Sequence, residues 1–209
     1  GILPDDSAGR PLHLSAPGRL IRHVCGQFGR PMTAEALLTL LKHPLTATGS
    51  PHRGQHLRLT RELELHLRRH GPPFPHADDL HYWATLQDDA ACDLWAGWIA
   101  GWIGLSGVAQ NDAILAYSDT LFILLNQIAA GPDGTVDASE LWRREAGQLA
   151  EATLRLLKAE APNGGTCTAS DFAALVAGLL QKEIVRTPSG SHPLIAIHGT
   201  REARELQAD

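Results

Sequence analysis

Residues 40–75, LLKHPLTATGSPHRGQHLRLTRELELHLRRHGPPFP, decide the fold of this chain. A leucine-rich helix ends just before Pro44, because proline cannot continue a helix. A Gly/Ser/Pro connector follows, and a second helix is predicted over residues 56–70, with its end at Gly71-Pro72-Pro73. The second helix directs one apolar side chain per turn toward a core: Leu59, Leu63 and Leu67. Two amphipathic helices therefore anchor a helical fold.

The second helix is also basic, although the whole chain carries a formal charge of −5. The candidate phosphate-contacting residues are Arg53, Arg58, Arg61, Arg68 and Arg69, with Lys42 and His56 beside them. Glu62 and Glu64 oppose these cations and form i,i+4 pairs with Arg58 and Arg68, each worth roughly 0.2–0.5 kcal/mol. The local reversal of charge offers a surface to an anionic polymer, or else it is an ordinary solvated helix face.

The composition is typical of a soluble helical protein. Of the 209 residues, 44% are hydrophobic and only 5% aromatic, with Leu and Ala dominant. We expect a mainly α fold, a helical bundle with a short strand or two contributed by the chain ends. No apolar run is long enough to cross a bilayer, and the three cysteines form no CxxC motif, so we expect no membrane partner, reduced thiols and a cytoplasmic location.

The chain divides into three expected parts. Residues 1–18 form an extended segment, residues 19–184 a helical subdomain, and residues 185–209 a return segment. The apolar run at residues 194–198 has strand character, and a lone strand is unstable in water. Its partner is either the N-terminal segment or a sheet that the chain lacks. Both ends look cut, which suggests a subdomain of a longer protein.

Further helices are predicted from apolar periodicity and capping residues. They cover residues 19–28, the segment from the Thr33 cap to Leu41, residues 88–105, a helix capped by Asn111, residues 139–161, and residues 168–183 with Thr168 as cap. The tryptophans of residues 88–105 lie at helical spacing among Ile and Ala, which predicts a core position rather than a base-stacking platform. Gly97, Gly101 and Gly104 suggest that another helix packs closely there.

No catalytic motif is present in the sequence. Residues 133–140 match the second half of a calcium-binding EF-hand loop, but the first and third ligand positions fall on Ala129 and Gly131, which have no side-chain oxygen. A turn that leads into a helix is the better interpretation. A phosphate-binding GxxxxGK[ST] loop and a GxSxG nucleophile motif are both missing. We therefore expect a non-catalytic segment with neither metal nor cofactor of its own.

Three parts of the chain resemble, in the same order, the AddB subunit of the AddAB helicase-nuclease in its alphaproteobacterial form. The matching residues are 1–2 with 5–12, then 40–45 with 57–64 and 71–75, and finally 192–195 with 199–204. The resemblance extends over nearly the whole chain, through short motifs whose order and spacing agree with the family.

The resemblance implies a role in DNA double-strand break repair and recombination. It implies a position in the helicase-like part of an ATP-dependent helicase and exonuclease, with AddA and DNA as partners. The family's iron-sulfur cluster, Mg²⁺ and ATP would lie outside these residues, because the nuclease carboxylates and the cluster cysteines have no counterparts here. Two functions remain open: a helical segment that contacts DNA during end resection, or a structural module that docks AddA without touching DNA.

Overall fold

Helices make up most of the structure, which confirms the predicted mainly α class. The computed structural model describes residues 5–6, 9–87, 89–186 and 196–197. In these ranges the α-helices are α1 (Ala16–Cys25), α2 (Ala34–Leu41), α3 (Arg53–His70), α4 (Ala77–Thr85), α5 (Ala91–Ser106), α6 (Ile114–Ala130), α7 (Arg144–Glu160) and α8 (Ala169–Lys182). None of these helices combines the length and the apolar composition that a bilayer crossing requires.

Within the described ranges, three two-stranded pairings accompany the helices. At the chain ends, β1 (Asp5–Asp6) pairs in parallel with β6 (Ala196–Ile197), and β2 (Arg10–Pro11) pairs antiparallel with β5 (Ile184–Val185). The N-terminal segment is thus the partner of the predicted C-terminal strand, although residues 194, 195 and 198 lie outside the described ranges. An internal pair, β3 (Asn111–Ala113) with β4 (Thr166–Thr168), is antiparallel and was not predicted.

Capping residues define several of the helix boundaries. The Thr33 hydroxyl accepts a hydrogen bond from the Ala36 N–H at 3.1 Å, and the Thr168 hydroxyl accepts one from the Asp171 N–H at 3.0 Å, which confirms both predicted caps. The predicted cap at Asn111 is wrong, because this residue lies in β3 and α6 begins only at Ile114. The helix predicted from residue 139 begins at Arg144, since the Ser139 hydroxyl donates back to the Val136 carbonyl in a turn.

The first helix also begins earlier than predicted. A short 3-10 helix covers Leu12–Leu14, and the Ser15 hydroxyl caps α1 by accepting from the Gly18 N–H. The expected extended segment therefore ends near residue 11 rather than residue 18. Proline in the first turn of α1 is compatible with this start, because its missing N–H would have no helical partner there.

Helix α1 lies at the centre of the core. It packs against α2, α6, α7 and α8. Just beyond its end, the Phe28 ring stacks on Tyr117 of α6 at 5.9 Å and on Phe172 of α8 at 6.0 Å between centroids. Aromatic pairs at these separations contribute about 0.5–1.5 kcal/mol beyond the burial of their surface. The N-terminal helix is thus held by elements distant in sequence.

Helices α4 and α5 form a hairpin that the sequence predicts only in part. Trp95 and Trp102 are buried as expected, and Trp83 of the unpredicted α4 packs on Trp95 at 5.5 Å between ring centroids. The predicted close neighbour is wrong for Gly101 and Gly104, where an added Cβ would meet no atom within 4 Å among the described residues. At Gly97 an added Cβ would lie 3.9 Å from His81 of α4, which is an ordinary contact distance.

Candidate nucleic-acid interface

One face of α3 is fixed in the core and determines where its basic residues point. Leu59, Leu63 and Leu67 are buried, with Leu63 completely covered. Each such side chain stabilises the fold by about 1.5–3 kcal/mol relative to exposure. Because the leucines are four residues apart, they occupy one stripe, and most of the charged side chains between them project from the remaining surface.

His56 lies in the core and cannot contribute to this surface. Only 2% of the residue is exposed. The indole Nε1 of Trp95 donates to His56 Nδ1 at 3.1 Å, and the other ring nitrogen, Nε2, lies 2.9 Å from the Leu41 carbonyl oxygen. An indole N–H can only donate, so Nδ1 is the acceptor and Nε2 carries the proton. The sequence-based assignment of His56 to a phosphate contact is therefore corrected: the ring joins α2, α3 and α5.

Lys42 and Arg68 share one carboxylate. Glu64 Oε2 lies 2.6 Å from Lys42 Nζ, and Glu64 Oε1 lies 2.8 Å from Arg68 Nη2. Hydrogen bonds from Lys42, the larger cause, and from Arg68 lower the pKa of Glu64. The predicted pair within α3 is present, and Lys42 adds a contact between α2 and α3. A ligand phosphate must therefore compete with Glu64 for both cations.

Arg58 is also paired. Its guanidinium donates to Glu62 Oε1 at 3.0 Å, as predicted, and to Asp89 Oδ2 at 2.7 Å. Asp89 lies in the connector between α4 and α5, so this bond joins α3 to the tryptophan hairpin. Hydrogen bonds to the Asp89 carboxylate from the Ala91 N–H, the larger cause, and from Arg58 lower the pKa of Asp89. Arg58 thus has a structural partner that the sequence does not reveal.

Arg53 turns toward the connector that precedes α3. Its Nη2 donates to the Pro44 carbonyl at 2.8 Å and its Nε donates to the Thr46 carbonyl at 3.4 Å. The predicted helix began at residue 56, whereas Arg53 is the first residue of α3. This earlier start places the side chain beside the connector instead of on the outer helix face.

Arg61 and Arg69 are the two predicted contacts that remain available. Both are exposed, and neither makes an ion pair within the described part of the chain. They are eight residues apart, which separates them by about 12 Å along the helix axis. Leu57 and Leu65 alternate with them at steps of four and are 37% and 52% exposed. The outer face of α3 therefore presents two cations without an ion pair in the described part of the chain, and they alternate with two apolar side chains.

A second group of free cations lies on α1, where sequence analysis did not place a contact. Arg19 and Arg22 are exposed and have no ion partner among the described residues. Burial lowers the pKa of the neighbouring His23, and the positive charges of Arg22 and Arg19 lower it further. A sequence signal for this group exists, because residues 7–33 contain no Asp or Glu.

The loop with EF-hand character joins two connectors. The Ser50 hydroxyl donates to Asp133 Oδ1 at 2.5 Å, and His52 Nδ1 lies 2.6 Å from Asp133 Oδ2. Both oxygens of this carboxylate are thus engaged by the segment that precedes α3. Hydrogen bonds from Ser50 and then His52 lower the pKa of Asp133. The loop helps to position the start of the basic helix.

Comparisons with known proteins do not identify a relative. No protein-family model, curated protein or solved structure matches the chain.

Proposed function

We propose that this chain is a non-catalytic helical segment of an AddB-type helicase-nuclease subunit and that it contacts the phosphate backbone of DNA during end resection. The observation that carries the proposal is the outer face of α3, where Arg61 and Arg69 are exposed without ion partners in the described ranges. Guanidinium groups bind phosphates bidentately. The motif resemblance supports DNA as the anion.

The cations on and beside α3 differ in whether a carboxylate already pairs with them. Arg61 and Arg69 can meet phosphates without breaking an existing contact. Arg68 and Lys42 first have to leave Glu64, whereas Arg58 would give up the bond to Asp89 that joins two helices. The loss of such a surface pair offsets part of what a new phosphate contact contributes. We therefore expect Arg61 and Arg69 to dominate binding.

The salt dependence of DNA binding tests this assignment. The double variant Arg61→Gln/Arg69→Gln should weaken binding to a fluorescein-labelled oligonucleotide, measured by fluorescence anisotropy. It should also reduce the slope of log affinity against log salt by about 1.4 for single strands or about 1.8 for duplex, because each lost phosphate contact accounts for about 0.7 or 0.9.

A matched control removes two positive charges elsewhere. Arg30 and Lys182 are exposed and lie outside α3, so Arg30→Gln/Lys182→Gln changes the net charge by the same amount. If this control lowers the affinity and the salt slope as much as the α3 variant does, the effect is one of net charge and the assignment to α3 is wrong.

Docking of a protein partner is a second candidate, favoured by the exposed Leu57 and Leu65, which alternate with the arginines. Apolar side chains flanked by arginine are typical of protein interfaces. Under this alternative, Leu65→Ser together with Arg61→Glu would release the chain from an AddA-type subunit in co-purification, while its DNA affinity would stay unchanged. Loss of DNA affinity with retention of the subunit would favour direct DNA contact.

A further inference from the structure

A pocket of about 620 Å³ lies away from the outer face of α3, where six parts of the chain meet. Its wall is formed by β2, the start of α1, the connector at residues 44–48, the start of α3, the turn into α7 and Val185 of β5. Its charged side chains are Arg10, Arg53, Arg143, Arg144, Glu140 and Glu145. Four guanidinium groups against two carboxylates give the lining a net positive charge, although the chain as a whole carries −5. Neither Arg61 nor Arg69 belongs to this lining.

Two of the four guanidinium groups are held in place by the wall itself. Arg53 donates to the Pro44 carbonyl at 2.8 Å, and Arg143 donates to the Asp137 carbonyl at 3.0 Å and to Glu140 Oε1 at 3.1 Å. A guanidinium has five N–H donors, so each keeps donors for a ligand after these bonds are made. Fixed orientation lowers the entropic cost of binding an anion.

The other two guanidinium groups of the lining, those of Arg10 and Arg144, are exposed. Arg10 is exposed and makes no ion pair within the described ranges. Arg144 Nη2 lies 3.9 Å from Glu140 Oε2, the longest ion pair in the described residues, and its side chain is 83% exposed. Both side chains can turn toward an anion without breaking a short ion pair of the described residues.

The backbone at Arg144 is in the left-handed region, with φ of 57°. A side chain is disfavoured in this conformation, and glycine or asparagine is the usual occupant. Arginine at this position places a cation in the lining of the pocket despite the conformational cost. Substitution by glycine would remove the cation and relieve the backbone at the same time, which allows binding and folding to be separated.

We infer that this pocket binds a phosphate monoester, carried either by a free nucleotide or by the end of a nucleic-acid strand. A phosphate monoester has a charge of about −1.5 to −2 at neutral pH and three acceptor oxygens, which complements the surplus of guanidinium groups. The volume lies in the range of about 300–1,000 Å³ that small-ligand sites occupy. The inference is independent of the proposed DNA contact of α3.

Isothermal titration calorimetry with AMP, and with adenosine as its uncharged counterpart, tests the inference on the 209-residue chain. AMP should bind and adenosine should not. Arg10→Gln and Arg144→Gly should each weaken AMP about tenfold, the effect of losing one charge-assisted hydrogen bond. The melting temperature of Arg144→Gly should not fall. Arg155→Gln is the control, because it removes an exposed cation from α7 outside the pocket.

A second comparison identifies the source of the phosphate. If a 5′-phosphorylated oligothymidine binds more tightly than both AMP and its 5′-hydroxyl counterpart, the ligand is a strand end; if AMP binds more tightly, it is a nucleotide. The inference is overturned if neither phosphate compound binds better than its counterpart without the phosphate monoester, or if the two pocket variants lose no more affinity than Arg155→Gln. Arg61→Gln/Arg69→Gln should leave AMP binding unchanged, so failure of one proposal leaves the other intact.

Discussion

Acidification should destabilise the protein through His56, and the contacts of the ring explain the direction. Burial is the main cause that lowers its pKa from 6.5 to about 4. Protonation would place a hydrogen on Nδ1, where it would oppose the Trp95 indole N–H that now donates to this atom. The folded state therefore resists a proton that the unfolded chain accepts. Because the pKa is lower in the folded state, this part of the stability is complete above about pH 6.5 and falls as the pH decreases toward 4.

The size of the effect follows from the two pKa values. Each pH unit between them costs about 1.4 kcal/mol. Between about pH 7 and about pH 5, His56 should reduce the free energy of unfolding by about 2 kcal/mol. Burial also lowers the pKa of His43 to about 4. The wild-type protein should therefore lose more stability than His56 alone accounts for, and a variant is needed to isolate the contribution of His56.

His56→Gln provides that separation. An amide supplies one acceptor for Trp95 and one donor for the Leu41 carbonyl, but it does not titrate. Urea denaturation followed by tryptophan fluorescence should show that the variant loses about 2 kcal/mol less than the wild type between the two pH values. His81→Gln, at an exposed position, should show the wild-type loss. An unchanged pH dependence in His56→Gln would refute the assignment of this ring as a buried neutral acceptor.

Two further predictions concern stability. Asp133→Asn should lower the free energy of unfolding by about 1 kcal/mol in urea denaturation, because its carboxylate accepts from Ser50 and contacts His52; Asp137→Asn, in the same loop, should have no such effect. The folded-state pKa of Asp133 is lowered. Its contribution to the free energy of unfolding is therefore present above the normal aspartate pKa and is lost as the pH falls below it. If Asp133→Asn were still less stable than the wild type in strong acid, the carboxylate contacts would not be the origin of the difference. Leu63→Ala should cost about 2–5 kcal/mol because the side chain is completely buried, whereas Leu65→Ala, two residues away and 52% exposed, should stay within about 0.5 kcal/mol.

Local patterns in the sequence predicted those elements whose signals lie within a few residues. The leucine spacing of α3 and the threonine caps of α2 and α8 are of this kind. Helix α4 was missed because its N-cap residue is a histidine. The Asp79 carboxylate accepts a hydrogen bond from the His76 backbone N–H at 2.7 Å. A capping box with serine or threonine would have been recognised. The turn before α7 was missed because apolar periodicity continues through it.

The candidate interface shows the same division. The pairs Arg58–Glu62 and Glu64–Arg68 are four residues apart and were predicted, whereas Lys42 and Asp89 are partners that only the packing of separate helices brings near. Burial of His56 depends likewise on Trp95, which is distant in sequence. The pocket was not predictable, because its arginines come from β2, α3 and the start of α7.

The pairing of the chain ends has a mechanical consequence. Residues 5–6 pair in parallel with residues 196–197, and residues 10–11 pair antiparallel with residues 184–185. Tension that pulled residue 10 away from residue 185 would load the few interstrand hydrogen bonds of the second pair before it reached α1 or α8. These helices would then keep their packing while the strand pair opened.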